Sequence, residues 1–144
     1  MIALVGCVKS KLTIPSPAKK IYISPLFKKA VSYIKKRGYD NWFILSAKYG
    51  LLDKNKIIEP YELTLSSFSK DELKHWSDKV GDDIKKYRLN DLHFYCGSNY
   101  HNDFLLNFLK SNNIKYELPL LGLSLGQRLA FFNNENRVRT KGFF

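Results

Sequence analysis

Lys9 and Lys11 flank Ser10 directly after an apolar run, and this spacing is the first feature that could do chemistry. An extended segment points both ammonium groups the same way. With the serine hydroxyl and nearby backbone N–H groups they make a phosphate cradle. It is not a Walker loop, because no G-x-x-x-x-G-K-[ST] occurs, and no G-x-G-x-x-G follows the first strand. An ordinary P-loop NTPase or dinucleotide enzyme is therefore set aside. Lys11 also counts as a candidate catalytic cation. Cys7, beside these lysines, could act as a nucleophile through a lowered pKa. The competing reading is a small buried hydrophobe at a strand end, and it applies equally to Cys96.

Glu59 is the carboxylate of most interest. Pro60 after it holds the backbone extended, and the side chain could serve as general acid or base, or bind a ribose or base edge. A salt bridge to Lys48 or Lys11 is the plainer alternative. Tyr49, Tyr61 and Tyr100 could stack on a nucleobase, or simply pack at a boundary. His75, His93 and His101 share no ligand spacing with the two cysteines, so neither a zinc site nor any other metal or cofactor is expected. Of the three, His101 is the one that could face a site.

These groups need a scaffold, and the hydropathy pattern supplies one. Residues 1–6 read as a strand buried on both faces and ending at Gly6, not as a secretory signal. A polar loop over 7–24 contains Pro15 and Pro17. Ser24 then caps a helix with Pro25 in its first turn, running to about Arg37 and stopped by Gly38. Its inward residues are Leu26, Phe27, Ala30, Val31 and Ile34. Residues 42–47 form a second buried strand, and 48–65 read as irregular, with a short edge strand near Ile57 or Leu63. Ser69 and Glu72 make a capping box for a helix whose stripe is Leu73, Trp76, Val80, Ile84 and Tyr87. A third strand covers 92–96, a helix 99–111, a fourth strand 114–118, and a last helix runs from Ser124 or Leu125 to about Phe132. Strands and helices thus alternate, with crossovers long enough for parallel pairing. The expectation is a three-layer α/β fold with a small, mostly parallel sheet of four to five strands. At 144 residues the chain buries one core, so a single domain with a basic tail at about 133–144 is expected.

In such sheets ligands bind beyond the carboxyl ends of the strands. The four exits carry Lys9, Ser10 and Lys11; then Lys48, Tyr49 and Gly50, with Glu59 and Tyr61 further on; then Gly97, Ser98, Asn99, Tyr100 and His101; then Gly122, followed by Gly126, Gln127 and Arg128. Ser24, at the start of a helix, joins them. The expectation is one common rim that collects all four exits.

Charge supports an anionic partner. The net charge is +11, and residues 1–37 hold nine cations and no acid, residues 38–127 eleven cations and twelve acids, and residues 128–144 four cations and one acid. The excess sits at the two ends of the chain, where it would attract phosphates and polyanions. No apolar run has the length of a membrane span, and two cysteines do not mark an oxidising compartment. Cytoplasmic location is the expectation.

The segments L-S-A-K-Y-G-L-L-D (Leu45 to Asp53) and I-I-E-P-Y-E-L-T-L (Ile57 to Leu65) resemble the YaaA-like proteins, a superfamily that includes short bacterial and phage relatives of a peroxide-stress protein. The short relatives also resemble this chain at Gly6 to Lys11, Tyr22 to Phe27 and Gly122 to Leu129. The resemblance implies an α/β core and DNA binding, but no catalytic residues carry over. Three readings follow. The first is a nucleic-acid-binding protein, DNA foremost, with a phosphate- or nucleotide-recognising cleft. The second is an enzyme acting on a nucleotide or a base in nucleic acid, at the N-glycosidic or a related bond. The third is a protein-interaction module such as a phage-encoded inhibitor.

Overall fold

The structure, a computed structural model, describes residues 1–6 and 11–141, with side chains described as far as residue 135. Cys7, Lys9 and Ser10 lie outside the described residues, as do the side chains of Arg137, Arg139 and Lys141.

The central strand β1 (Ile2–Gly6) sets the architecture. Its alternate side chains enter different cores: Ala3 and Val5 one, Ile2 and Leu4 the other. A strand with no polar face must lie inside a sheet covered on both sides. It pairs in parallel with β3 (Asn41–Ser46) on one side and β6 (Leu92–Tyr95) on the other. Outside these lie β4 (Gly50–Asp53), antiparallel to β3, and β7 (Tyr116–Glu117), parallel to β6. The order is β4-β3-β1-β6-β7. Helix α2 (Pro25–Lys36) covers one face through Phe27, Ala30, Tyr33 and Ile34, with Phe132 of α5 (Leu125–Lys141). Helices α3 (Lys70–Lys86) and α4 (Asp103–Ser111) cover the other through Trp76, Val80, Ile84, Leu105 and Leu109. The fold is a three-layer α/β arrangement with a mostly parallel sheet.

Local sequence explains the element ends. Ser24 Oγ accepts from the Phe27 N–H at 3.2 Å, and Gly38 takes φ +71° just beyond α2. The reciprocal Ser69–Glu72 box opens α3. Gly81 lies where α3 meets α4: a Cβ there would stand 2.5 Å from the Phe108 ring, so the residue that weakens helical propensity permits the helix contact.

Several elements differ from expectation. The stretch after the second strand is not irregular, since Gly50 at φ +70° turns the chain back as β4. The short strand expected near Ile57 is present as β5 (Ile57–Ile58), but its antiparallel partner β2 (Ser16–Pro17) and the single helical turn α1 (Ala18–Ile21) between β2 and α2 lie where a loop was expected. Helix α4 starts at Asp103, because Asn102 caps it by accepting from Leu105 N–H. The fourth strand shrinks to two residues. Tyr87 leaves the α3 stripe as an exposed C-cap. The last helix runs on to Lys141, tied to α2 by the ion pair of Glu135 with Arg37 and by Lys29 Nζ donating to Asn133 Oδ1 at 2.6 Å.

Gly81→Ala should lower stability by about 1–2 kcal/mol, the overpacking cost exceeding the gain in helix propensity. Denaturant melts of a cycle with Phe108→Ala check this: in that background the same substitution should stabilise.

Candidate functional site

Beyond Gly6 the sheet opens into a notch. The connection from β1 to β3 runs through α2 on one face, and that from β6 to β7 through α4 on the other. The helices that follow β1 and β6 therefore lie on opposite faces, and such a reversal is the switch point where α/β sheets hold ligands. A cavity of about 590 Å³ lies there, within the range of small-molecule sites.

Six parts of the chain build its wall, Leu120 after β7 being one of them. Val5 and Gly6 end β1; Tyr95, Cys96 and Gly97 end β6; the turn Ser98–Asn99–Tyr100 follows. Ser24 to Phe27 bring the first turn of α2, and Thr64 to Ser66 bring the short 3₁₀ turn Leu65–Ser67. Leu125, Arg128, Leu129 and Phe132 bring one face of α5. The lining is apolar in its body, with hydroxyls, backbone groups and one guanidinium at its edges. Gly6 is required by a close approach: a Cβ there would lie 2.7 Å from Cys96 Cβ and 3.0 Å from the Tyr100 ring.

Among the described residues, Arg128 is the charged group of this wall. Its Nε is buried and has no hydrogen-bond partner among the described residues. A Cβ on Gly97 would stand 3.6 Å from Nη1, so the guanidinium lies against the glycine turn after β6. Helix α2 adds the positive end of its dipole, and no acidic residue in its first turn offsets it. The wall carries no carboxylate among the described residues.

Arg128 also acts on its neighbours. His101 is buried, and desolvation first, with the guanidinium charge adding to it, holds its pKa below the usual value. Burial pushes the Cys96 thiol up despite the opposing Arg128 charge, so it stays a protonated core thiol and not a nucleophile.

The predicted common rim therefore divides. Ser24, Gly97, Ser98, Tyr100 and Arg128 meet at the cavity. Lys48, Tyr49, Gly50, Glu59 and Tyr61 do not line it. Tyr49 and Tyr61 belong instead to a hydroxyl cluster at the end of β3, where Ser46 Oγ donates to Tyr61 OH at 2.8 Å and Tyr22 OH meets Tyr61 OH at 2.6 Å. The Tyr49 N–H donates to Ser46 Oγ, and its hydroxyl donates to the Glu59 carbonyl at 3.4 Å. The Tyr49 and Tyr61 rings meet edge to face, 5.7 Å apart. Lys11 and Lys48 lie over those two rings, 4.6 Å above Tyr61 and 5.3 Å above Tyr49. These tyrosines are cross-braces and not an open stacking platform. Glu59 is exposed, away from the cavity wall. Gly126 is an exposed helical residue, and Gln127 closes a capping box, with Oε1 accepting from Ser124 N–H and its own N–H donating to Ser124 Oγ. Asn99, expected at the third strand exit, also lines the cavity, whereas Thr64 and Leu129 were missed in the sequence because their role depends on which loops converge.

Over residues 2–134 the chain matches a family model described as a family of unknown function, DUF6884. It belongs to that family. No curated protein and no solved structure matches it. Within this DUF6884 member, no cluster of three His, Cys, Asp or Glu among the described residues could hold a metal ion. No helix among them is long and apolar enough to cross a membrane.

A pH dependence follows from His101. Its contribution to stability is fully present above its unfolded value of about 6.5 and is lost as pH falls through the lower folded value, because the unfolded chain then binds the extra proton. Melting the native chain and His101→Asn between pH 7.5 and 5 should show the smaller loss in the variant.

Proposed function

We propose that this protein binds nucleic acid, DNA foremost, by seating a phosphorylated nucleotide in the cavity between β1 and β6. The observation that carries this reading is Arg128, whose buried Nε lacks a partner among the described residues beside the glycine turn at the cavity edge. A guanidinium is a planar donor suited to gripping a phosphate, and that of Arg128 has no ion-pair partner among the described residues. The first turn of α2, with Ser24 and no acid, adds a second source of positive potential on the same wall. Between these groups, Phe27, Leu129, Phe132 and the Tyr100 ring offer apolar surface suited to a base. The net charge of +11 draws such a ligand in. The YaaA-like resemblance of Leu45 to Leu65 points the same way and is part of the proposal. With no carboxylate among the described residues of the wall, glycosidic acid–base chemistry is the less favoured reading of this cavity.

Titration calorimetry with nucleoside monophosphates, and polarisation with labelled DNA over a salt series, test the reading. Binding should occur, weaken as salt rises, and fall roughly tenfold to a hundredfold in Arg128→Gln, the weight of one charge-assisted contact. Affinity indifferent both to salt and to Arg128 would contradict it.

A further inference from the structure

Several large apolar side chains are exposed in or next to the segments that build the cavity wall. Ile23, Leu63, Leu121 and Leu125 are four of the eight large exposed apolar residues among those described. Leu125 lines the cavity, and the other three each adjoin a lining residue: Ser24, Thr64 and Leu120. Exposed apolar side chains carried by the segments that build one cavity suit a contact surface, called the collar below.

Immediately behind this wall lies a surface of opposite character. Lys28, Ser32 and Lys35 recur on one face of α2 at spacings of four and three. With Lys19 of α1 they line a shallow groove of about 280 Å³. Among the described residues none of these lysines takes part in an ion pair. Phe27 lines both this groove and the cavity, so one side chain separates them.

We propose that the ligand of this surface is single-stranded nucleic acid, with one nucleotide unstacked into the cavity and the adjoining backbone held along α2 by Lys19, Lys28 and Lys35. This deepens the reading given above and rests on it. A base paired inside a duplex cannot enter a recess of this kind, and the unstacking cost is least for a single strand. The exposed leucines and isoleucine then cover the faces of the unstacked base and its neighbours. Phosphates on either side of that nucleotide find cations spaced along a rigid helix. A free mononucleotide would use only the cavity and Arg128.

The test uses the full chain, a single-stranded oligonucleotide carrying one fluorescent purine analogue that stacking quenches, its duplex form, and a nucleoside monophosphate. The single strand should bind at least tenfold tighter than the duplex or the monophosphate, with a rise in emission. In Lys28→Glu/Lys35→Glu the single strand should lose at least tenfold, and the salt slope should fall by about 1.4, the value for two phosphate contacts on a single strand. Monophosphate binding should stay within twofold. Duplex binding equal to single-strand binding, emission that stays quenched, or a lysine variant that binds the strand normally would each overturn the inference. A strand bound no tighter than the monophosphate would overturn it while leaving the cavity reading intact. Failure of strand and monophosphate alike would overturn both. Concentration-dependent dimerisation abolished by Leu121→Ser/Leu125→Ser would assign the collar to a second copy of the chain, and would also overturn it.

Discussion

A strand that is apolar on both sides cannot sit at an edge or face water, and β1 is such a strand. Its position between β3 and β6 obliges the helices that follow β1 and β6 to take opposite faces, because each face of β1 needs its own cover. Where those chains part, the carboxyl end of the sheet cannot be closed by either helix layer. The cavity is thus a consequence of how the core is satisfied. Its chemistry is added by loops that the core leaves in that place.

Two details turn an opening into a selective one. Gly6 allows Cys96 and the Tyr100 ring to close over the end of β1, which makes that side of the recess firm. Helix α5 crosses the opening and brings Arg128 with it, and α5 is held to α2 by aromatic contacts of Tyr33 with Phe131 and Phe132 and by the Arg37–Glu135 pair. Positioning of the guanidinium is therefore coupled to packing around α2, the same helix whose first turn forms the facing wall. Along β6, Tyr39 joins His93 and Tyr95 through its hydroxyl, while Asp91 holds the other imidazole nitrogen at 3.0 Å. That network ties the start of β6 to Tyr95, which lines the cavity at the strand's carboxyl end.

The layers were legible in the sequence because periodicity records burial: the continuous run at β1, the α3 stripe and the Ser69–Glu72 box each state their own environment. Ser24, Gly97, Ser98, Tyr100 and Arg128 were legible as candidates because position after a strand or before a helix is itself informative. Tyr49, Tyr61 and Glu59 were not correctly assigned to one rim, since a tyrosine at a strand exit looks alike whether its hydroxyl faces a ligand or a neighbouring serine. Only Ser46 and Tyr22, distant in sequence from Tyr61, settle which. The helix beyond Phe132 was hidden for a similar reason. Its Asn-rich sequence has weak propensity, and the contacts of Asn133 and Glu135 with α2 that hold it are tertiary.

The account stands on Arg128 and the β1–β6 notch as the place where phosphate is received. A crystal structure of the chain soaked with a nucleoside monophosphate measures this directly. The account predicts phosphate oxygens within hydrogen-bond distance of the Arg128 guanidinium, with the base against Phe27 and Tyr100. A phosphate bound instead at Lys11 and Lys48 beside the β3 hydroxyl cluster, with the notch empty, would contradict it.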